Sequence, residues 1–130
     1  MAKKTNKPGQ SSLPAAFSFA IQGIAYTVRS QRNMRIHLVV AVLAVIAGFV
    51  LCLSAVEWSV IVICIALVLA TEMLNTAIEA VVDLASPELH PKAKIAKDVG
   101  AGIVLIFALL SVISGLIVFV NALIRLVGFG

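Results

Sequence analysis

Charge is scarce in this chain. Only 12% of its 130 residues are Asp, Glu, Lys or Arg, and just six are acidic. A soluble domain of this size cannot bury a composition that is 62% hydrophobic and still keep a polar exterior. The mean hydropathy of +1.12 agrees, so a water-soluble globule is excluded and an integral membrane protein is expected. Cysteine is nearly absent: Cys52 and Cys64 lie inside apolar segments with no metal-ligand spacing around them, and read as small buried hydrophobes. No G-x-x-x-x-G-K-[ST] run is present, so a nucleotide site here is not of the P-loop kind. The basic start, MAKKTNKPGQSSLP, is followed by no short apolar region with a cleavage site, and no removable signal peptide is expected. A net charge of +4 would suit nucleic acid. The basic residues, however, flank hydrophobic spans, which favours anionic lipid and argues against a nucleic-acid partner.

The apolar pattern sets an all-α architecture. Residues 1–14 form a basic, polar tail expected to be disordered. Over residues 15–36, Phe17, Ile21, Ile24 and Val28 recur at helical spacing, while Gln22, Arg29, Arg32 and Asn33 lie elsewhere on the wheel. This predicts an amphipathic helix in the membrane interface, or a packing helix of a larger assembly. Three membrane helices should follow, over 37–56, 58–85 and 93–124, in one domain spanning 15–130. The first holds roughly nineteen uncharged residues, just enough to cross a core of about 30 Å. Ser54 to Glu57 is read as a short turn, with Trp58 an interfacial aromatic opening the second helix and Ser86-Pro87 ending it. Ser86 to Asp98 is the long polar connection, and Pro91 suits a first helical turn. Six of the ten Lys and Arg precede the first span and three lie between the second and third. By the positive-inside bias, the N-terminus and the Ser86 to Asp98 connection are cytoplasmic.

One stretch stands apart from the apolar background. In EMLNTAIEAVVD, Glu72, Asn75, Glu79 and Asp83 fall within a sector of roughly 80° on one helical face. Ionisable side chains inside a bilayer are costly, so such a stripe is a functional hypothesis by default. The plainer alternative is a helix that leaves the bilayer near Glu72 and carries a solvated acidic face. Beside the stripe, the connection brings Glu88, His90, Lys92, Lys94, Lys97 and Asp98. Carboxylates for Mg²⁺, lysines for phosphate oxygens and a deeper glutamate to take a proton are the parts of phosphoryl transfer. Glu72 and Glu79 lie two turns, about 10 Å, apart, too far to grip one ion together. They can instead bracket a phosphoryl group, with Glu79 and a metal at the phosphates and Glu72 accepting the proton of a hydroxyl from the membrane side.

E-M-L-N-T-A-I-E-A-V-V-D, then H-P-K-A-K-I-A-K-D-V-G-A-G, and before them R-N-M-R-I-H, together resemble the bacterial integral membrane diacylglycerol kinase and undecaprenol kinase family, nearer its Gram-positive undecaprenol kinase branch. The likeness runs from Phe17 to Val120. It implies a homotrimeric helical bundle in the bacterial inner membrane, with sites shared between subunits, ATP and a membrane lipid alcohol as substrates, and Mg²⁺ as cofactor. It also implies roles: Glu72 as general base with Asn75 beside it, and Glu79 as ligand of metal and nucleotide. Phe19, Gln31, Asp83, Glu88, Leu89, His90, Lys97 and Asp98 would face the nucleotide, and Arg35 and Ala101 would join Glu72 at the lipid. Two positions depart from the family pattern. Gln31 stands where a metal-binding glutamate is common, which puts a second metal in question, and Phe19 replaces a tyrosine of some relatives.

Other features have plainer explanations. Gly100 and Gly102 read as close helix packing rather than a phosphate cradle. His37, at the start of the first span with Arg35, reads as an interfacial anchor. Two readings without kinase chemistry remain, a proton or ion conductor and a non-catalytic assembly subunit. The first needs polar groups in both membrane halves, and Trp58 to Ala70 offers only Ser59.

Overall fold

The computed structural model describes residues 12–88 and 90–128, so the tail expected over 1–14 and the site residue Leu89 lie largely or wholly outside the described residues. Four helices follow in order: α1 (Leu13–Ser30), α2 (Arg32–Val50), α3 (Ala55–Ala85) and α4 (Pro91–Val127). No strand occurs among the described residues. Helices α2, α3 and α4 are each long and apolar enough to cross a membrane. Their outward faces carry exposed Val39, Leu43, Ile63, Leu109, Ile113 and Ile117, a surface suited to lipid and not to water.

Helix α3 is the central element, packed most extensively on α4 and then on α2, whereas α1 buries only Thr27. At 31 and 37 residues, α3 and α4 run for about 46 and 55 Å, well beyond a hydrocarbon core of about 30 Å. The excess length is enough for their polar ends, joined by Ser86 to His90, to lie beyond such a core.

Three helix boundaries differ from the sequence expectation. The interfacial helix stops at Ser30 and not at residue 36, because Gln31 is extended (φ −103°, ψ 119°) and α2 restarts at Arg32. No proline or glycine marks this elbow. It is held by Gln31 Nε2 donating to Glu79 Oε2 at 3.1 Å and by Arg35 Nη1 donating to the Arg29 carbonyl at 3.0 Å. The first turn is Leu51 to Ser54, earlier than expected, since Ser54 caps α3 in a reciprocal box with Glu57 and draws Glu57 into the helix. Finally, α4 starts at Pro91 and reaches Val127, so Lys92 to Lys97 are helical.

The core lies at the Leu51–Ser54 end, where Leu53, Ile61, Val118 and Ala122 pack together under Trp58 and Phe119. Gly48 makes this possible, because a Cβ there would meet the Trp58 ring at 2.7 Å. Arg125 closes the same end with two hydrogen bonds of 3.0 Å to the Glu57 carboxylate. Replacing Gly48 with Val forces the indole out of its seat and is expected to cost about 1 to 3 kcal/mol, read as a lower unfolding midpoint in detergent.

Candidate active site

From Glu72 to Asp83 the stripe runs from interior to surface. Glu72 is 1% exposed and Asn75 6%, Glu79 is half-buried and Asp83 is exposed. The neighbouring threonines are committed elsewhere: Thr71 Oγ1 donates to the Leu67 carbonyl at 2.9 Å, and Thr76 Oγ1 to the Glu72 carbonyl at 2.9 Å. Glu72 Oε2 is consequently buried without a hydrogen-bond partner among the described residues. It faces a cavity of about 220 Å³ whose wall includes Asn33, His37, Asn75, Ala101 and Ala108.

Glu79 is gripped from two sides by amides. Asn75 Nδ2 donates to Oε1 at 3.0 Å, and Gln31 Nε2 donates to Oε2 at 3.1 Å. The first contact is an i, i+4 pair that α3 forms by itself, and the second depends on the α1–α2 elbow. Turning its nitrogen to Glu79 aims Asn75 Oδ1 at α4, where it is buried and unpartnered. A Cβ on Gly100 would stand 2.5 Å from that oxygen, so glycine is the residue that admits Asn75. Gly102, by contrast, has nothing within 4 Å. The close approach expected of the pair belongs to Gly100 alone within the described chain.

The remaining expected site residues are spread outward. Lys97 pairs with Asp83 and ties α4 to α3 at the polar end. Lys94 pairs with Asp98 one turn apart. His90 Nδ1 accepts from the Lys92 N–H at 3.1 Å and caps α4, and the Glu88 carbonyl accepts from Ser86 Oγ at 2.8 Å. Glu88, His90 and Asp98 are exposed, as is Phe19 on α1. Arg35, expected to face lipid, binds carbonyls at the end of α1. Gln31, Glu72, Asn75, Glu79 and Ala101 thus gather at or beside the cavity, and Asp83 with Lys97 forms a second cluster nearer the end of the helices.

One cavity residue was read differently from sequence. His37 is no free-standing anchor: its Nε2 lies 3.9 Å from Glu72 Oε2, and the side chain is 20% exposed. Asn33, one turn before it on α2, lines the same cavity. The available signal was their i, i+4 spacing within R-N-M-R-I-H, which puts both on one face of α2.

A second recess adjoins the first. Ile36, His37 and Ala108 line both the cavity and an apolar groove of about 450 Å³ that passes between α2 and α4, with Ile61 and Phe119 farther along. Exposed Val40, Val112 and Leu116 form its rim, so it opens sideways, toward lipid. The pair of recesses suits a molecule with one polar end and a long apolar body.

As for metal, no cluster of three or more His, Cys, Asp or Glu able to hold an ion exists among the described residues. An ion held by protein ligands alone does not fit. Mg²⁺ commonly needs only one or two carboxylates because phosphates and water complete its shell. Glu79 fits that requirement, and turning over the Gln31 amide would present a neutral oxygen beside it.

Comparison with known proteins gives the family. Residues 18–119 match the family model of prokaryotic diacylglycerol kinase. The chain is 44% identical over 108 residues to an undecaprenol kinase of Bacillus subtilis, covering 83% of this chain and 88% of that one. It is 42% identical over 105 residues to a diacylglycerol kinase of Synechocystis, covering 80% of this chain and 60% of the relative. A diacylglycerol kinase of Escherichia coli K12 is 31% identical over 109 residues, 84% of this chain and 89% of its own length. With residues 18–119 matched by the family model and relatives of 31 to 44% identity covering most of its length, the protein belongs to the prokaryotic diacylglycerol kinase family.

Proposed function

We propose that this chain is a lipid kinase of the bacterial cytoplasmic membrane that transfers the γ-phosphoryl group of ATP to the hydroxyl of undecaprenol. The observation that carries this reading is the unpartnered, buried Glu72 carboxylate oxygen, which faces the cavity that shares Ile36, His37 and Ala108 with the groove. A lipid alcohol lying in the groove brings its hydroxyl to that oxygen. Glu72 takes the proton as the hydroxyl oxygen bonds to the γ-phosphorus and the bond to the ADP oxygen breaks. Glu79, held in place by Gln31 and Asn75, binds the phosphate end. Mg²⁺ bound there with the nucleotide supplies charge neutralisation on the phosphate oxygens. Lys97 offsets further negative charge, exchanging Asp83 for a phosphate oxygen. The N-terminus and the Ser86 to Asp98 connection then lie in the cytoplasm, where ATP is. A homotrimer with shared sites belongs to this reading, as the family resemblance implies.

Diacylglycerol is the second acceptor, favoured by the names of the Synechocystis and Escherichia coli relatives. The test is transfer from labelled ATP by the purified protein in detergent, with undecaprenol and diacylglycerol in parallel. Undecaprenol is expected to be the better acceptor. Faster transfer to diacylglycerol replaces the first acceptor by the second, and no transfer to either by folded protein overturns the kinase reading.

A further inference from the structure

A base at 1% exposure has a difficulty that its position creates: the proton it takes has no direct path to water. The groups around Glu72 narrow the way out. On α3, the Thr71 and Thr76 hydroxyls are spent on backbone carbonyls, and the Asn75 nitrogen is held by Glu79. Glu79, the next charged group on α3, lies about 10 Å outward along the axis and already accepts from two amides. The α4 wall of the cavity is apolar, formed by Ala101, Val104, Leu105 and Ala108. Among the described residues that line the cavity, the further polar groups come from α2, Asn33 and His37. Of these, only the imidazole of His37 has a nitrogen that can take up a proton and another that can give one off.

We propose that His37 is the positioning residue of the base, orienting Glu72 Oε2 toward the groove mouth and carrying off the proton that Glu72 receives. The separation of 3.9 Å closes to hydrogen-bond length with a shift of about 1 Å, and catalytic contacts are often long before substrate binds. His37 is also the polar side chain common to the cavity and the groove, so a hydroxyl entering from the lipid side passes it on the way to Glu72. The proton balance is complete. The alcohol O–H bond breaks and a carboxyl O–H forms; that bond breaks as N–H forms at Nε2 of the Nδ1–H tautomer, and Nδ1 releases its proton from a side chain that is 20% exposed. Each turnover moves one proton from the lipid alcohol to water and leaves a neutral Nε2–H imidazole, which proton exchange between its two nitrogens through water returns to the starting tautomer.

This inference rests on the lipid-kinase reading, and its test separates the two. Transfer to undecaprenol and to diacylglycerol is measured for the unaltered protein, His37→Phe, His37→Gln and His37→Ala in detergent, the last with and without added imidazole. The expected result is that Phe and Gln each lower kcat by about 10-fold or more while KM for ATP and for the lipid alcohol stays within about twofold. Imidazole is expected to restore His37→Ala by at least about threefold, because a diffusible base fills the vacated space. A merely structural histidine would not respond to imidazole. Retention of kcat by His37→Phe, a rise in both KM values that accounts for the loss, or failure of imidazole to restore any rate overturns the proposal while leaving the kinase reading intact. Absence of transfer by the unaltered protein overturns both.

Discussion

Glu72→Gln is expected to abolish most phosphoryl transfer, lowering kcat by about 10² to 10⁴, the range that general bases contribute. The substitution keeps the shape of the side chain and removes only its ability to take a proton. Because Glu72 is almost fully buried with one oxygen unpartnered, neutralising it removes a desolvation cost and leaves packing alone. Activity and stability should therefore separate. The variant should unfold in detergent at a midpoint no lower than the parent's, and its KM for ATP should be nearly unchanged. Near-normal kcat in Glu72→Gln would remove Glu72 from the base role. A parallel fall in midpoint and rate would recast it as a structural group.

Glu79→Ala is expected to lose transfer by about 10²-fold or more, through a different cause. Here the side chain is an acceptor shared by two helices. Its removal leaves the Gln31 and Asn75 amides without their acceptor, and hydrogen bonds to charged groups are worth about 1.5 to 3 kcal/mol each. The phosphate end of the site is lost together with one of the bonds holding the α1–α2 elbow. Limited trypsin digestion reports the second effect, because Arg29, Arg32 and Arg35 flank that elbow. Cleavage there should quicken in Glu79→Ala and remain at the parent's rate in Glu72→Gln. Raising Mg²⁺ should recover some activity only where a ligand has been weakened, as in Glu79→Gln. Parent-like transfer and digestion in Glu79→Ala would remove both roles.

How much of this was legible in the sequence depended on how local each cause is. The three spans were visible as long apolar runs, and the common face of Glu72, Asn75 and Glu79 followed from helical spacing, since all three sit on one unbroken helix. The end of α1 was not legible, because nothing at Gln31 breaks a helix by itself. The break depends on Glu79, forty-eight residues away, and on Arg35 turning back to the carbonyls of α1. The start of α3 was legible but misplaced: Ser54 and Glu57 have the S-x-x-E spacing of a capping box, which sets the helix at Ala55 before the aromatic landmark Trp58. That His37 stands beside Glu72 was not legible, because the two lie on different helices. The connection residues Glu88, His90 and Asp98 are exposed, and nothing within the described residues brings them to the cavity.

The sideways opening of the groove also decides how the acceptor must be counted. A lipid alcohol that reaches Glu72 past Val40, Val112 and Leu116 never enters bulk water. Its availability is then a mole fraction within the surrounding lipid or micelle, and not a molar concentration. Diluting the acceptor with inert lipid starves the enzyme even when the amount per litre is fixed, whereas ATP arrives from solution and obeys ordinary molarity. The two substrates thus meet at one carboxylate from a two-dimensional and a three-dimensional reservoir. The rate is set partly by the composition of the membrane that surrounds the protein.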